Sequence, residues 1–218
     1  MVAQARARSD QAKAARRAQI LAEAHSLLAI SRYPDLTLTQ IAHRVGLTKA
    51  ALFAYFPSKE ALFLDLYETL LGEWLTTLGK HLRLGGTHTP ATLATLVTAM
   101  LQETPALPRL IPLLAGLLEH NISATRATTH KRWLAGQLHD LTPLIEQALP
   151  GLPVGGGTRL LTYTQALIAG LQPMSEPAPA VREALASSDL SALHLELNAA
   201  LRDSLTALYR GLSSEHPA

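Results

Sequence analysis

Between Thr37 and Leu62 the chain reads TLTQIAHRVGLTKAALFAYFPSKEAL. On a helix starting at Lys49, the side chains of Lys49, Ala50, Phe53 and Ala54 share one face, because residues three and four apart are neighbours. That face suits contact with nucleic-acid bases. Small residues at 50 and 54 let the backbone approach closely. The Lys49 ammonium can reach a guanine edge or a phosphate, and the Phe53 ring can rest against a thymine methyl. The opposite face, with Leu52 and Phe56, is apolar.

Such a face needs a partner helix to hold it. Thr37 is a good N-cap, and Leu38, Ile41, Ala42 and Val45 form an apolar stripe after it. Gly46 ends that helix and Thr48 caps the next. Two short helices joined by a glycine-containing turn fit a helix-turn-helix, with Leu47, Leu52 and Phe56 clamping the pair. The same residues also suit any all-α core, with Tyr55 and Phe56 as plain core aromatics.

Charge distribution favours the first reading. Residues 1–59 carry nine Lys/Arg and three acids, net +6, and the remainder is net −4. A basic head on an acidic body fits a protein with one end on a polyanion; a solvated basic tail gives the same tally. Enzyme chemistry finds no footing. There are no cysteines and nine histidines, none of the latter paired at i,i+4 or set in a His-Glu-x-x-His arrangement. There is no Gly-x-Ser-x-Gly, and Gly155-Gly156-Gly157 lacks the lysine of a phosphate loop. No metal or cofactor is expected. The N-terminus is basic without an apolar core, unlike a secretory signal, and the longest apolar run, Leu110–Leu118, is broken by Pro112. A soluble, cytoplasmic protein without membrane contact is expected.

The whole chain reads as all-α, with about nine helices. The first is predicted from Ala12 to Ala29, then the helix-turn-helix pair, with its second helix running to Phe56. A fourth runs from Lys59 to Leu78, followed by a loop over Gly79–His88. A fifth spans Pro90–Glu103, a short kinked sixth ends near His120, and a seventh covers Ser123–Ala148. Pro150–Gly157 reads as a linker before an eighth helix over Thr158–Leu171. A turn of helix near Val181–Ala186 precedes the last helix, Leu190–Leu212, with Leu190, Leu193, Leu197, Leu201, Leu205 and Leu208 as its stripe.

The 37–60 segment resembles the DNA-binding domain of the TetR/AcrR family of bacterial repressors. Thr37-Leu38-Thr39-Gln40-Ile41-Ala42, Gly46-Leu47-Thr48, Ala50, Leu52-Phe53, Tyr55-Phe56 and Ser58-Lys59-Glu60 follow that family's pattern in order and spacing over roughly residues 16–65. Ala50 stands where glycine is commoner and Phe53 where tyrosine is. The resemblance implies a helix-turn-helix DNA-binding domain over residues 1–58 and a helical ligand-binding and dimerisation domain over 59–218. It implies DNA contacts by Thr39, Gln40, Thr48, Lys49, Ala50, Phe53, Tyr55 and Lys59, with Lys59 and Tyr55 on phosphates. Arg6, Arg8, Lys13, Arg16 and Arg17 would add salt-dependent affinity.

It further implies a ligand-responsive repressor, dimeric through its last two helices and reading a palindromic operator on double-stranded DNA. Those two helices are apolar beyond one stripe, which fits a subunit interface or a well-filled monomer core. A small, largely apolar effector would release the operator by favouring a state with the heads spread, transmitted by the fourth helix. Pocket candidates are Met100, His120, Asn121, Trp133, Gln137, Tyr163 and Gln165. For His120 and Asn121, capping a helix in solvent is an equal alternative. The rival reading is a helical protein-binding module.

Overall fold

A computed structural model describes residues 2–187 and 189–214, with side chains from residue 10 onward. Arg6 and Arg8 therefore lie outside the described side chains. The described residues form an all-α fold without strands: α1 (Val2–Ile30), α2 (Leu38–Arg44), α3 (Lys49–Phe53), α4 (Lys59–Gly85), α5 (Pro90–Glu103), α6 (Ala106–Leu113), α7 (Ala124–Ala148), α8 (Gly156–Ser175), α9 (Pro179–Leu185) and α10 (Leu197–Ser214). The chain divides into two compact units. One holds the chain up to Thr69 with Leu114–Ala124; the other holds Leu70–Leu113 and the chain from Thr125 on.

In the first unit, α1 buries Ile20, Ala24, Leu27 and Leu28. These pack in one core with Leu36, Leu38, Ile41, Ala42, Leu52, Phe56 and Phe63. The Tyr33 ring meets Phe63 edge-on at 5.0 Å. In the second unit α5, α6, α8 and α10 pack together. Thr89 and Thr92 form a capping box at the start of α5, with Pro90 in the first turn. Along α10, Leu201, Leu205, Tyr209 and Leu212 are buried at four- and three-residue steps, the spacing of one helical face. Tyr209 Oη and Thr164 Oγ1 share a buried hydrogen bond of 2.9 Å between α10 and α8. Burial raises the Tyr209 phenol above its usual pKa.

Several predicted boundaries are corrected. The fourth helix does not stop at Leu78 but runs through Gly79 to Gly85. Gly79 lies against α7, where an added Cβ would be 3.5 Å from Leu141 and 3.6 Å from Leu144. Packing therefore holds a glycine that costs only about 1 kcal/mol relative to alanine inside a helix. The third helix ends at Phe53, three residues early, because Ala54 and Tyr55 donate to Ala51 and Leu52 in an i→i+3 turn ahead of Pro57. The sixth helix carries Pro112 inside it and ends as an α-helix at Leu113, after which a π turn spans Leu114–Leu118 and a 3-10 turn Glu119–Asn121. Gly156 and Gly157, read as linker, open α8. The last helix starts at Leu197, with Glu196 accepting from the N–H groups of Asn198 and Ala199. Leu190 and Leu193 thus fall outside it, and Leu193 is exposed.

Candidate nucleic-acid interface

Local hydrogen bonds fix α2 and α3 relative to each other. Thr37 Oγ1 accepts from Gln40 N–H at 3.2 Å, and Gln40 Oε1 accepts from Thr37 N–H at 2.7 Å, a reciprocal capping box. At the other end of α2, Gly46 N–H donates to His43 O and Leu47 N–H to Ala42 O. That is a Schellman turn, which needs a left-handed residue, and Gly46 has φ +66°. Thr48 Oγ1 then accepts from Ala51 N–H at 3.1 Å and starts α3. Thr48→Ala is expected to cost about 1 kcal/mol, the usual worth of such a cap; a thermal melt unchanged from wild type would contradict it.

With Leu52 fully buried, the other side of α3 faces solvent. Lys49, Ala50, Phe53 and Ala54 are all exposed, Phe53 at 42%. The Lys49 ammonium lies 5.8 Å from the Phe53 ring centroid. Thr48 is exposed beside them, and Thr39 and Gln40 are exposed at the start of α2. These predicted residues are thus brought together around one pair of helices.

Lys59 and Tyr55 are placed differently. Lys59 Nζ donates to Tyr33 O at 2.5 Å and sits 3.9 Å over the Tyr33 ring. Burial lowers its pKa, opposed by Glu60 and Asp35. An ammonium has three N–H donors, so this contact leaves two. Tyr55 is half-buried, and its carbonyl accepts from Arg17 Nη1 at 2.7 Å.

Two arginines expected to add affinity for a polyanion make contacts inside the unit. Arg16 donates to Gln19 Oε1 at 2.8 Å and to Val45 O at 3.3 Å. Arg17 also pairs with Asp65 of α4 and lies 4.1 Å over the Phe56 ring. This clamp is not legible in the sequence, since nothing local links residues 17, 55 and 65. Arg44, one of the basic residues of the head, is exposed in the last turn of α2.

The pocket candidates lie on α5, α7, α8 and the 3-10 turn after α6. Met100 is buried on α5, and Trp133 is half-buried, stacked on His130 at 6.0 Å. Tyr163 is 44% exposed and Gln165 half-buried. His120 is exposed, and Asn121 Nδ2 donates to Leu117 O at 2.9 Å, the capping alternative; both belong to the first unit. Only Gln137 lines the cleft of about 240 Å³ in the second unit, with Leu75, Arg83, Asp140, Leu141 and Leu144 among its walls. Among the described residues, no group of His, Cys, Asp or Glu could hold a metal ion, and no helix is long and apolar enough to cross a membrane.

Residues 20–66 match the family described as bacterial regulatory proteins, tetR family. Residues 68–216 match the tetracyclin repressor-like C-terminal domain. The chain belongs to the TetR family of transcriptional regulators. Over 56 residues this TetR-family chain is 36% identical to the HTH-type transcriptional regulator EthR of Mycolicibacterium smegmatis, a match spanning 26% of each protein. In fold it is similar to Thermus thermophilus FadR, a TetR-family repressor solved with lauroyl-CoA. The TM-score is 0.54 at 20% identity, covering 93% of this chain and 97% of that one. It is also similar to a protein of Streptomyces coelicolor A3(2) described as a transcriptional regulator, with TM-score 0.51, 18% identity, and coverage of 92% and 98%.

Proposed function

We propose that this TetR-family chain is a homodimeric repressor that binds a palindromic operator through α3 and leaves it when a small, largely apolar effector binds the body. The observation carrying this reading is the exposed face of α3, held outward by the buried Leu52 and by a cap at each end of the turn before it. Residues 1–58 are the proposed DNA-binding domain and 59–218 the body. Lys49, Ala50 and Phe53 meet base edges. Thr39, Gln40, Thr48 and Tyr55 set register on phosphates, as does Lys59 through its remaining N–H groups.

Dimerisation is proposed through the sides of α8 and α10 opposite their buried stripes. There Tyr163, Ala166, Gly170 and Met174 on α8, and Ala207 and Gly211 on α10, are exposed. Small residues among apolar ones let helices of two subunits approach closely. The effector site is proposed within the body, where the cleft beside Gln137 sets the apolar side chains of Leu75, Leu141 and Leu144 among the polar ones of Thr76, Arg83 and Asp140. A ligand that favours the spread state acts only through its differential affinity. Rotation of α4, which contributes to both units, is the proposed transmitter.

The test is fluorescence anisotropy on the duplex upstream of the chain's own gene, titrated with salt. Affinity is expected to fall steeply as salt rises. Lys59→Ala is expected to weaken binding to all duplexes alike, whereas Lys49→Ala is expected also to alter sequence preference. Binding that ignores salt, or two variants with the same profile, defeats the assignment.

A further inference from the structure

The face formed by Lys49, Ala50, Phe53 and Ala54 holds no side-chain hydrogen-bond acceptor. The acceptor at its start, Thr48 Oγ1, is turned onto Ala51 N–H. On α2, Gln40 Oε1 is turned onto the N–H and hydroxyl of Thr37, at 2.7 and 2.8 Å. Gln40 is left with its amide NH₂ donors, and Thr48 with its hydroxyl proton and one lone pair at the very start of α3. Lys49 adds an ammonium. The rest of the α3 face is carbon, and the largest part of it is a Phe53 ring 42% exposed.

The bases differ in what they ask of such a surface. In the major groove adenine and cytosine each present an amino donor, which needs an acceptor. Guanine presents only the acceptors N7 and O6, and thymine presents the acceptor O4 and a C5-methyl group. The α3 face from Lys49 to Ala54, of donor and carbon alone, therefore rewards guanine and thymine edges and leaves adenine and cytosine amino groups that meet it without partners. We infer that α3 reads its half-site through thymine methyl groups, with Phe53 as the specificity-determining residue and Lys49 taking a guanine edge next to it.

The spacing agrees. Lys49 and Phe53 are one helical turn apart, about 5–6 Å between Cβ atoms, and successive bases on a strand rise by about 3.4 Å. The guanine and the thymine are thus one or two base pairs apart. The Lys49 ammonium resting against the Phe53 ring keeps both side chains on the same side of the helix. The inference rests on the proposal that α3 enters the major groove.

The experiment selects duplexes from a random-sequence pool with the full chain. It then replaces each thymine of the selected half-site by uracil, which removes only the methyl group. Affinities are compared for the wild type and Phe53→Ala. One or two positions per half-site are expected to lose about fourfold in affinity per buried methyl, and those losses are expected to vanish in Phe53→Ala. Because Phe53 is exposed, the variant should keep its helical circular dichroism and its salt dependence. A selected duplex bound with steep salt dependence yet indifferent to uracil everywhere would remove methyl reading and leave DNA binding intact. So would penalties that survive Phe53→Ala. A pool from which nothing is retained fails the groove proposal itself, and this inference with it.

Discussion

Gly151→Ala is expected to lower the thermal midpoint by about 10 °C, the equivalent of several kcal/mol in a chain of this length. Two costs coincide there. Gly151 has φ +94°, and an added Cβ would stand 2.5 Å from the backbone carbonyl oxygen of Ser213 at the end of α10. A side chain in left-handed backbone costs roughly 1–2 kcal/mol, and forcing atoms into a packed contact adds typically about 1–3 kcal/mol. The atom met is backbone, so relief requires moving α10 itself. Gly155→Ala separates the two costs. Its φ is +81° with nothing within 4 Å of the added Cβ, so only the conformational part, roughly 1–2 kcal/mol, is expected. Equal losses for the two variants in calorimetry would show that the Ser213 contact yields freely.

Arg17→Ala is expected to destabilise the first unit and to weaken operator binding without flattening its salt dependence. The guanidinium holds three elements at once: α1, which carries it; the Tyr55 carbonyl after α3, at 2.7 Å; and the Asp65 carboxylate of α4. It also covers the Phe56 ring, itself fully buried. Breaking a buried pair costs about 3–5 kcal/mol. The Arg17 side chain is 40% exposed, so solvent screening brings the expected loss to about 2 kcal/mol. Arg17→Lys should recover only part, because an ammonium lacks the planar fork that reaches two acceptors. Lys13→Ala is the control, since Lys13 is exposed on the same helix. If Arg17 acted mainly as a phosphate contact, both alanine variants would lose salt slope equally and neither would lose stability.

The helix-turn-helix was legible because its determinants are local. Thr37 with Gln40, Gly46, and Thr48 are separated by a few residues, and each places its neighbours' backbone N–H and C=O groups directly. The outward face of α3 follows from helical periodicity once Leu52 is assigned to the core. The same locality made α5 readable from Thr89-Pro90.

Errors appeared where a distant partner outweighs a local preference. Gly79 looked like a stop, but α7 packs beside it and the helix continues. Gly156 and Gly157 looked like linker, yet Gly157 N–H donates to Glu146 of α7 at 3.2 Å, and an added Cβ at 157 would stand 2.7 Å from Thr142 O. Gly157 lets two helices approach rather than lets the chain bend, while Gly156 packs on Leu152 and Pro153.

What the amino-acid order alone determined is the set of short-range choices: an all-α chain, the caps and turn of the helix-turn-helix pair, and the basic balance of its head. Those depend on hydrogen bonds and periodicities spanning one or two helical turns. Only the tertiary structure decided that Arg17 locks to Tyr55 and Asp65 and that Lys59 folds back onto Tyr33. It alone decided that α4 runs through Gly79 and that Gln137 alone among the pocket candidates reaches the cleft. The reason is physical: each depends on side chains or backbone far apart in sequence, whose distance is set by how the helices pack and not by the spacing of residues along any one of them.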